Sequence, residues 1–300
     1  MTGAKMGFNT KRQTLWGWIL ISPLCLGLTL WVAFPMGLSL WTSLTDWDML
    51  STAEFVGLKN YITIFTEDEL FLKSVRNTLY FTVLSVPLQM IIALGGALLL
   101  NTQVRGKRAF RTIFYLPSLI PIVVSSVMWL WLFNSQYGLI NYLLHSVGLN
   151  RVQWIDSRHM VIPSLTIMNI WNVGNIIIIF LAGLQSIPKD LLEAVEIDGG
   201  RYWHKFRFVI IPLLSPIILY NMIVNMIKCL QLFVEPYIMT GGGPVNSSLS
   251  FVLHIYNNAF KYGKMGVANA MAWVLFILTL LISLVIFKTS CHWTYYEGDR

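Results

Sequence analysis

Long apolar and uncharged runs alternate with short charged segments along the 300-residue chain. Runs without Asp, Glu, Lys or Arg cover 13–45, 77–104, 112–150, 159–188, 208–227 and 265–287. A helix needs about 20 mostly apolar residues to cross the hydrocarbon core of a bilayer, and every run is long enough. The pattern predicts an all-α integral membrane protein with six transmembrane helices, at approximately 14–41, 77–102, 112–134, 162–184, 208–235 and 266–287.

Two stretches need a separate interpretation. Residues 134–138 have turn chemistry, and the apolar stretch 139–149 is too short to span, so we expect a helix at the membrane interface there. Lys11 and Arg12 precede an apolar run that is too long for the core of a signal peptide. We therefore expect this run to be retained as the first helix.

Six crossings place both termini on one side of the membrane, and the basic residues indicate which side. Thirteen Lys and Arg lie before the first span, in 105–111, in 189–207 and at the C-terminus, against seven on the opposite side. Basic residues concentrate in cytoplasmic loops. Both termini and the loop between the fourth and fifth spans are therefore predicted to be cytoplasmic.

Composition agrees with a membrane protein and argues against several other classes. The chain is 56% hydrophobic and 12% charged, with a mean hydropathy of +0.63, whereas a soluble domain is about a quarter charged. The net charge of +7 lies in short loops without a continuous basic face, so no nucleic-acid partner is expected. Cys25, Cys229 and Cys291 lie far apart, so no disulfide, metal site or catalytic group is predicted. We expect one transmembrane domain over 1–300.

The loop 185–212 has the pattern of a helix, a turn and a second helix. Pro188 suits the first turn of a helix, where its missing N–H is not needed, and Asp190 favours the positive end of the helix dipole. Gly199 can adopt the left-handed conformation that ends a helix. An aromatic and basic segment then leads to Pro212 at the start of the fifth span. We expect a helix-turn-helix on the inner face of the membrane.

The spacing within this loop resembles the "EAA" loop of permease subunits in binding-protein-dependent ABC importers. Val195 stands where the family usually has a second Ala, and Gly200 where Ala is common. The resemblance implies that the loop carries a coupling helix, which docks into a groove on a cytoplasmic ATPase. The matching residues are Glu193, Ala194, Asp198, Gly199 and Pro212.

Two other segments are similar to the same family. Residues 239–248 contain Thr-Gly-Gly-Gly-Pro and resemble the segment after the fifth core helix of carbohydrate-type permeases, especially the larger permease of the maltose system. Residues 55–61 form a third family-like segment. The resemblance implies a permease subunit of the bacterial inner membrane. Such a subunit forms half of the translocation path for a sugar or oligosaccharide.

The same resemblance implies several partners: a second homologous permease subunit, two copies of an ABC ATPase, an extracytoplasmic solute-binding protein and the lipid bilayer. The glycines at 241–243 do not fit a nucleotide loop, which needs GxxxxGK followed by Ser or Thr. No cofactor is therefore expected in this chain. ATP and Mg belong to the ATPase, and the permease itself is not expected to be an enzyme.

Polar residues inside the predicted spans suggest a substrate path. A charge at the bilayer centre costs about 2.5–3.5 kcal/mol on insertion scales, so such residues face protein or water. On a continuous helix the fifth-span set projects within an arc of about 120°. We interpret this stripe, together with Asn172 between Asn169 and Asn175, as the path lining, with interhelical hydrogen bonding as the open alternative. The fifth-span set is Asn221, Asn225, Lys228, Gln231 and Glu235.

Two other classes explain parts of the sequence. A secondary transporter or channel shares polar stripes and bent helices, but it commonly places coupling acids or bases in mid-span, where only Lys228 and Glu235 qualify. An intramembrane enzyme needs a nucleophile–base pair or a metal motif such as HExxH, which the sequence lacks. The ABC permease hypothesis alone explains the loop 185–212.

Overall fold

The computed structural model describes residues 10–102 and 106–295, mostly as helices. Lys5, Arg105 and Arg300, which contribute to the predicted charge asymmetry, lie outside the described residues. The first helices and strands are α1 (Thr10–Leu28), α2 (Phe34–Ser43), β1 (Thr45–Asp46), β2 (Glu54–Phe55), α3 (Lys59–Thr66), α4 (Glu69–Asn101), α5 (Lys107–Tyr115), α6 (Ile122–Leu132) and α7 (Leu139–Ser146). The remaining helices are α8 (Val161–Trp171), α9 (Gly174–Ser186), α10 (Lys189–Ile197), α11 (Tyr202–Lys205), α12 (Ile211–Leu230), α13 (Val234–Met239), α14 (Phe251–Tyr256) and α15 (Met265–Ser290).

Apolar helices long enough to cross a membrane confirm the predicted class of protein. Among the described residues, four helical stretches qualify alone, at Thr14–Ser43, Glu69–Asn101, Tyr202–Met239 and Met265–Ser290. Two bent pairs, α5 with α6 and α8 with α9, also qualify when each pair is taken together. The structure therefore contains four to six candidate spans, against six predicted.

The third and fourth predicted spans are not continuous helices. The helix through 107–119 and α6 meet at 99°, because Ile120 and Pro121 are extended and Pro121 has no N–H with which to continue the helix. Helices α8 and α9 meet at 50° around Asn172 and Val173. The next residue, Gly174, lies against the end of α5. A Cβ added to Gly174 would be 2.5 Å from the Phe114 oxygen.

The fifth predicted span, 208–235, begins earlier and ends sooner than expected. Helical structure starts at Tyr202 and runs through a π-helical turn into α12, so Pro212 lies within a continuous helix and not at its entrance. Helix α12 ends at Leu230, and Gln231–Phe233 are not helical. The ring of Pro236 disfavours the helical conformation at Leu232, four residues earlier, although α4 and α12 continue through Pro87 and Pro216.

Helix α4 is the centre of the bundle and packs against α8, α9, α12 and α14. Ala93 and Ala97 on α4 are fully buried against Phe180 of α9 and Leu214 of α12. Nearer the start of α4, Phe71 packs with Phe251 of α14. These contacts hold α4, α8, α9 and α12 around one interior space.

The segment between α2 and α4 is tied to the start of α15. Strands β1 and β2 pair antiparallel, and Asn60 donates to the carbonyls of Ser43 and Thr45 at 2.8 Å each. Gly266 approaches Thr45 so closely that a Cβ would lie 2.1 Å from its oxygen. At the tip, hydrogen bonds from Ser51 and the Leu50 N–H lower the pKa of Asp48 to about 2. The connection is an ordered cap over this end of the bundle.

Candidate functional site

A cavity of about 270 Å³ lies between α4, α6, α8, α9, α12 and the start of α13. Its polar side chains come from separate helices, as expected of a space at the centre of a bundle. They are Gln89, Ser118, Asn169, Asn172, Asn175, Asn225, Lys228, Gln231 and Glu235. The cavity is therefore rich in amides, with one ammonium and one carboxyl group.

Five of the six residues predicted for the substrate path line this cavity, namely Asn172, Asn225, Lys228, Gln231 and Glu235. Asn221 does not line it: the side chain is 2% exposed and donates to the Ile217 carbonyl at 3.0 Å. The predicted single-helix arc is also wrong for its last two members, because α12 ends at Leu230. Gln231 reaches the cavity from the turn after α12, and Glu235 from the first turn of α13.

A hydrogen-bonded chain of side chains joins three helices beside the cavity. Gln89 of α4 donates to the Asn169 Oδ1, and the Asn169 Nδ2 lies 3.5 Å from the Glu235 Oε1. Gln89 and Glu235 are both buried, so each needs such a partner. Sequence reasoning missed Gln89, although a lone amide inside an uncharged span is itself a signal.

Two lining residues keep hydrogen-bonding capacity for a ligand. The Asn172 Oδ1 is buried and accepts no hydrogen bond from any residue that the structure describes. The Lys228 side chain is exposed, and within the described part of the chain its ammonium makes no ion pair. A neutral polar solute could therefore receive hydrogen bonds from Lys228 and donate one to Asn172.

Aromatic rings continue from the cavity toward the end of α13. Phe233 lines the cavity and stacks on Tyr237 with ring centroids 5.3 Å apart. Tyr256 lies 5.1 Å from Phe233 and 5.2 Å from Phe260. Tyr237 and Phe260 are exposed. Sequence reasoning missed this row, which the four-residue spacings 233–237 and 256–260 could have indicated.

The predicted coupling segment has helix-turn-helix geometry. Helix α10 ends at Ile197, and Gly199 takes a left-handed φ of 78°. The Gly200 N–H donates to the Val195 carbonyl at 2.8 Å, which closes the turn into α11. Glu193, Ala194 and Asp198 are exposed. Helix α10 thus presents an open surface that ends at a turn fixed by its two glycines.

The exposed surface of α10 is partly apolar, and the opposite side of the segment packs against the bundle. Ile197 is 86% exposed, and Leu191 is also exposed. On the other side, Leu192 and Phe206 pack against the core formed by α4, α9 and α12. The coupling segment is therefore packed against helices that also line the cavity.

The fold is that of a helical membrane protein with an internal polar cavity, and comparisons with known proteins define its family. Residues 85–288 match the family described as binding-protein-dependent transport system inner membrane component. The chain belongs to this family. The prediction of a permease subunit, and not an enzyme, is confirmed.

The similarity to individual proteins extends over nearly the whole chain. It is 36% identical to the probable ABC transporter permease protein YesP of Bacillus subtilis, over 99% of this chain and 97% of that one. It is 32% identical to the trehalose/maltose transport system permease protein MalF of Thermococcus litoralis, over 93% and 95%. A bacterial ABC transporter that imports the acidic polysaccharide alginate has the same fold, with a TM-score of 0.79 at 23% identity and coverage of 95% and 98%.

Proposed function

We propose that this permease forms half of the translocation path for a sugar or oligosaccharide, and that the amide-rich cavity is part of that path. The convergence of Asn172, Asn225 and Gln231 on one space is the observation that carries the proposal. Amides donate and accept hydrogen bonds, so they can replace the water around a hydroxylated solute. The similarity to a trehalose/maltose permease supports a saccharide substrate.

The aromatic row extends this path. Flat rings such as Tyr237 and Phe260 offer apolar faces to the C–H faces of a pyranose ring, while the amides bind its hydroxyls. The row begins at Phe233, which also lines the cavity, so the rings and the amides adjoin each other. An oligosaccharide could occupy both at once.

We further propose six crossings, with each bent helix pair counted as one span. The thirteen-to-seven distribution of Lys and Arg supports cytoplasmic termini and a cytoplasmic α10. In this orientation the loop 240–250, with its Gly-Gly-Gly-Pro sequence, lies outside the cell. The cavity then lies between the coupling segment and the outer surface.

The partners follow from the family and from the exposed surface of α10. Glu193, Ala194 and Asp198 are proposed to contact an ABC ATPase, with Gly199 fixing the turn and Pro212 within the helix that follows. Two copies of this ATPase, which bind ATP and Mg, would assemble with this chain and a second homologous permease. An extracytoplasmic binding protein would deliver the solute, as the family description indicates.

Two asparagines one turn apart on α12 test the path. Asn225 lines the cavity and Asn221 does not, so Asn225→Ala should reduce saccharide transport about tenfold, for one lost hydrogen bond of about 1.4 kcal/mol. Gln231→Ala should behave like Asn225→Ala. Asn221→Ala is the matched control and should transport normally per folded molecule. Uptake of labelled sugar into proteoliposomes of the assembled importer measures all three. Equal losses for both asparagines would identify the polar residues as packing groups.

A further inference from the structure

A second concave site lies on the far side of α4 from the substrate cavity. It is a cleft of about 460 Å³ between the first turns of α4, the residues just before α8 and the loop before α14. Its lining includes Lys73, Arg76, Arg158 and His159, and no Asp or Glu that the structure describes. The cleft is therefore strongly cationic.

The positive charges in this cleft are not neutralised from within the chain. The Lys73 Nζ donates to the neutral Val245 carbonyl at 2.7 Å. Arg76 and Arg158 are exposed and form no ion pair with any residue of the described ranges. Glu69, one turn before Lys73 on α4, lines a different pocket. An anion in the cleft would relieve the repulsion between these cations.

An apolar strip continues from the cleft along the same face of α4. Tyr80, Val83 and Ile91 are 49%, 71% and 68% exposed. At 100° per residue, these three residues, Lys73 and Arg76 all project within one arc of about 80°. Gln89, half a turn from Tyr80, points to the substrate cavity. The cleft therefore opens on the outer surface of the bundle, away from the cavity.

The length of α4 places the cleft at the depth of lipid headgroups. The helix has 33 residues and is about 50 Å long, against about 30 Å for the hydrocarbon core. Its apolar strip lies within the core, so its first turns, with Lys73 and Arg76, extend beyond it. Guanidinium groups at that depth bind phosphate with paired hydrogen bonds.

We propose that this cleft is a binding site for the headgroup of an anionic phospholipid, whose acyl chains lie along Tyr80, Val83 and Ile91. A cationic cleft joined to an exposed apolar strip matches both halves of such a lipid. A free acidic saccharide would match only the charges. The site does not depend on the proposed saccharide path, since the two lie on opposite faces of α4.

Native mass spectrometry of the assembled transporter tests this proposal, with phosphatidylglycerol and phosphatidylcholine offered at equal concentration. The wild type should retain phosphatidylglycerol in preference to phosphatidylcholine. Arg76→Gln combined with Arg158→Gln should weaken that retention by about tenfold or more, since each basic residue contributes to binding at an anionic surface. Arg151→Gln with Lys261→Gln removes two exposed charges away from the cleft and should leave retention unchanged. Thermal unfolding verifies that both double variants fold.

Three results would overturn the proposal. Equal retention of the two lipids by the wild type would show that the cleft does not select an anion. Equal loss in the two double variants would show a general charge effect. Displacement of phosphatidylglycerol by soluble glucuronate would identify a saccharide site. Sugar uptake measured on the same preparations reports separately on the proposed path.

Discussion

The Asn172 side chain lowers the stability of the folded protein, and its position in the cavity explains why an asparagine stands there. Its side-chain oxygen is buried and accepts no hydrogen bond within the described residues. An unsatisfied buried polar group costs about 1–3 kcal/mol. The residue also interrupts the helix between α8 and α9 and lines the cavity. A hydroxyl of a passing solute would supply the missing donor, so the cost is expected at a binding position.

Replacing Asn172 should therefore separate stability from transport. Asn172→Ala removes the unsatisfied oxygen, so the thermal unfolding midpoint should stay level or rise while sugar uptake falls about tenfold. Gln89→Ala is the contrasting variant: it leaves the Asn169 Oδ1 without its donor, so the midpoint should fall. Unfolding in detergent and uptake into proteoliposomes measure the two effects. A lower midpoint for Asn172→Ala with normal uptake would contradict the assignment.

At this scale the sequence identified most of the cavity because polar residues inside apolar spans are costly unless they face protein or water. Composition alone could not separate Asn225 from Asn221, which have the same side chain and lie one turn apart. Both amides donate to a carbonyl one turn earlier on α12, Asn225 to Asn221 and Asn221 to Ile217, so the difference is tertiary: only Asn225 faces the cavity. Gln89 was missed because its partner Asn169 lies 80 residues away.

Among the helices, the close approach of α9 to α5 determines the bend in the fourth span. A Cβ on Gly174 would lie 2.5 Å from the Phe114 oxygen and 2.9 Å from the Tyr115 Cα. Both are backbone atoms, so the neighbouring helix cannot yield by a rotamer change. Glycine at this position lets α9 begin against the turn that follows α5.

Gly174→Ala should therefore destabilise the protein by about 1–3 kcal/mol through overpacking. Gly95→Ala is the matched control, because an added Cβ there meets no atom within 4 Å. Since Gly95 lies inside α4, alanine should be neutral or stabilising by up to about 1 kcal/mol. Thermal unfolding of the detergent-solubilised variants measures both changes. Equal unfolding midpoints for the two variants would show that α9 can shift away from α5 to make room for the added methyl group.

The turn after α10 allows a test of coupling to ATP hydrolysis, because a substitution at Gly199 changes only the backbone preference and removes no side-chain contact. Gly199 has a φ of 78°, and a Cβ there would meet nothing within 4 Å. Gly199→Val should strain the turn by about 1–2 kcal/mol, and substrate-stimulated ATP hydrolysis by the assembled importer should be lost. Gly199→Asn should retain it, because asparagine tolerates the left-handed region. Normal stimulation with valine would contradict the proposed role of the turn.

Helix positions were predictable to the extent that apolar length determines them, but the positions of the prolines do not by themselves predict where a helix breaks. Pro121 and Pro236 lie at or just after two of the three breaks in the predicted spans, whereas α4 and α12 continue through Pro87 and Pro216. The bend at Asn172 and Val173 has no proline. It depends on the contact between Gly174 and Phe114, which only the folded chain reveals.

For the whole molecule, the first helix leaves most of its apolar surface uncovered by the described part of the chain. No residue in the most apolar window of Thr14–Ser43 is buried, although α2 packs on α15. A transmembrane helix finds its partners among lipids or other subunits.

The orientation of the chain can be tested at two positions that are open in the folded protein. Leu50 is 94% exposed in the loop before α3, and Ile197 is 86% exposed at the end of α10. In a background without Cys25, Cys229 and Cys291, an impermeant maleimide should label Leu50→Cys in intact cells. Ile197→Cys should react only after permeabilisation, since basic loops remain cytoplasmic. Co-expression of the ATPase should then protect Ile197→Cys, and Leu50→Cys should react equally with and without it. Labelling of Ile197→Cys in intact cells would reverse the topology and exclude α10 as the contact with a cytoplasmic ATPase.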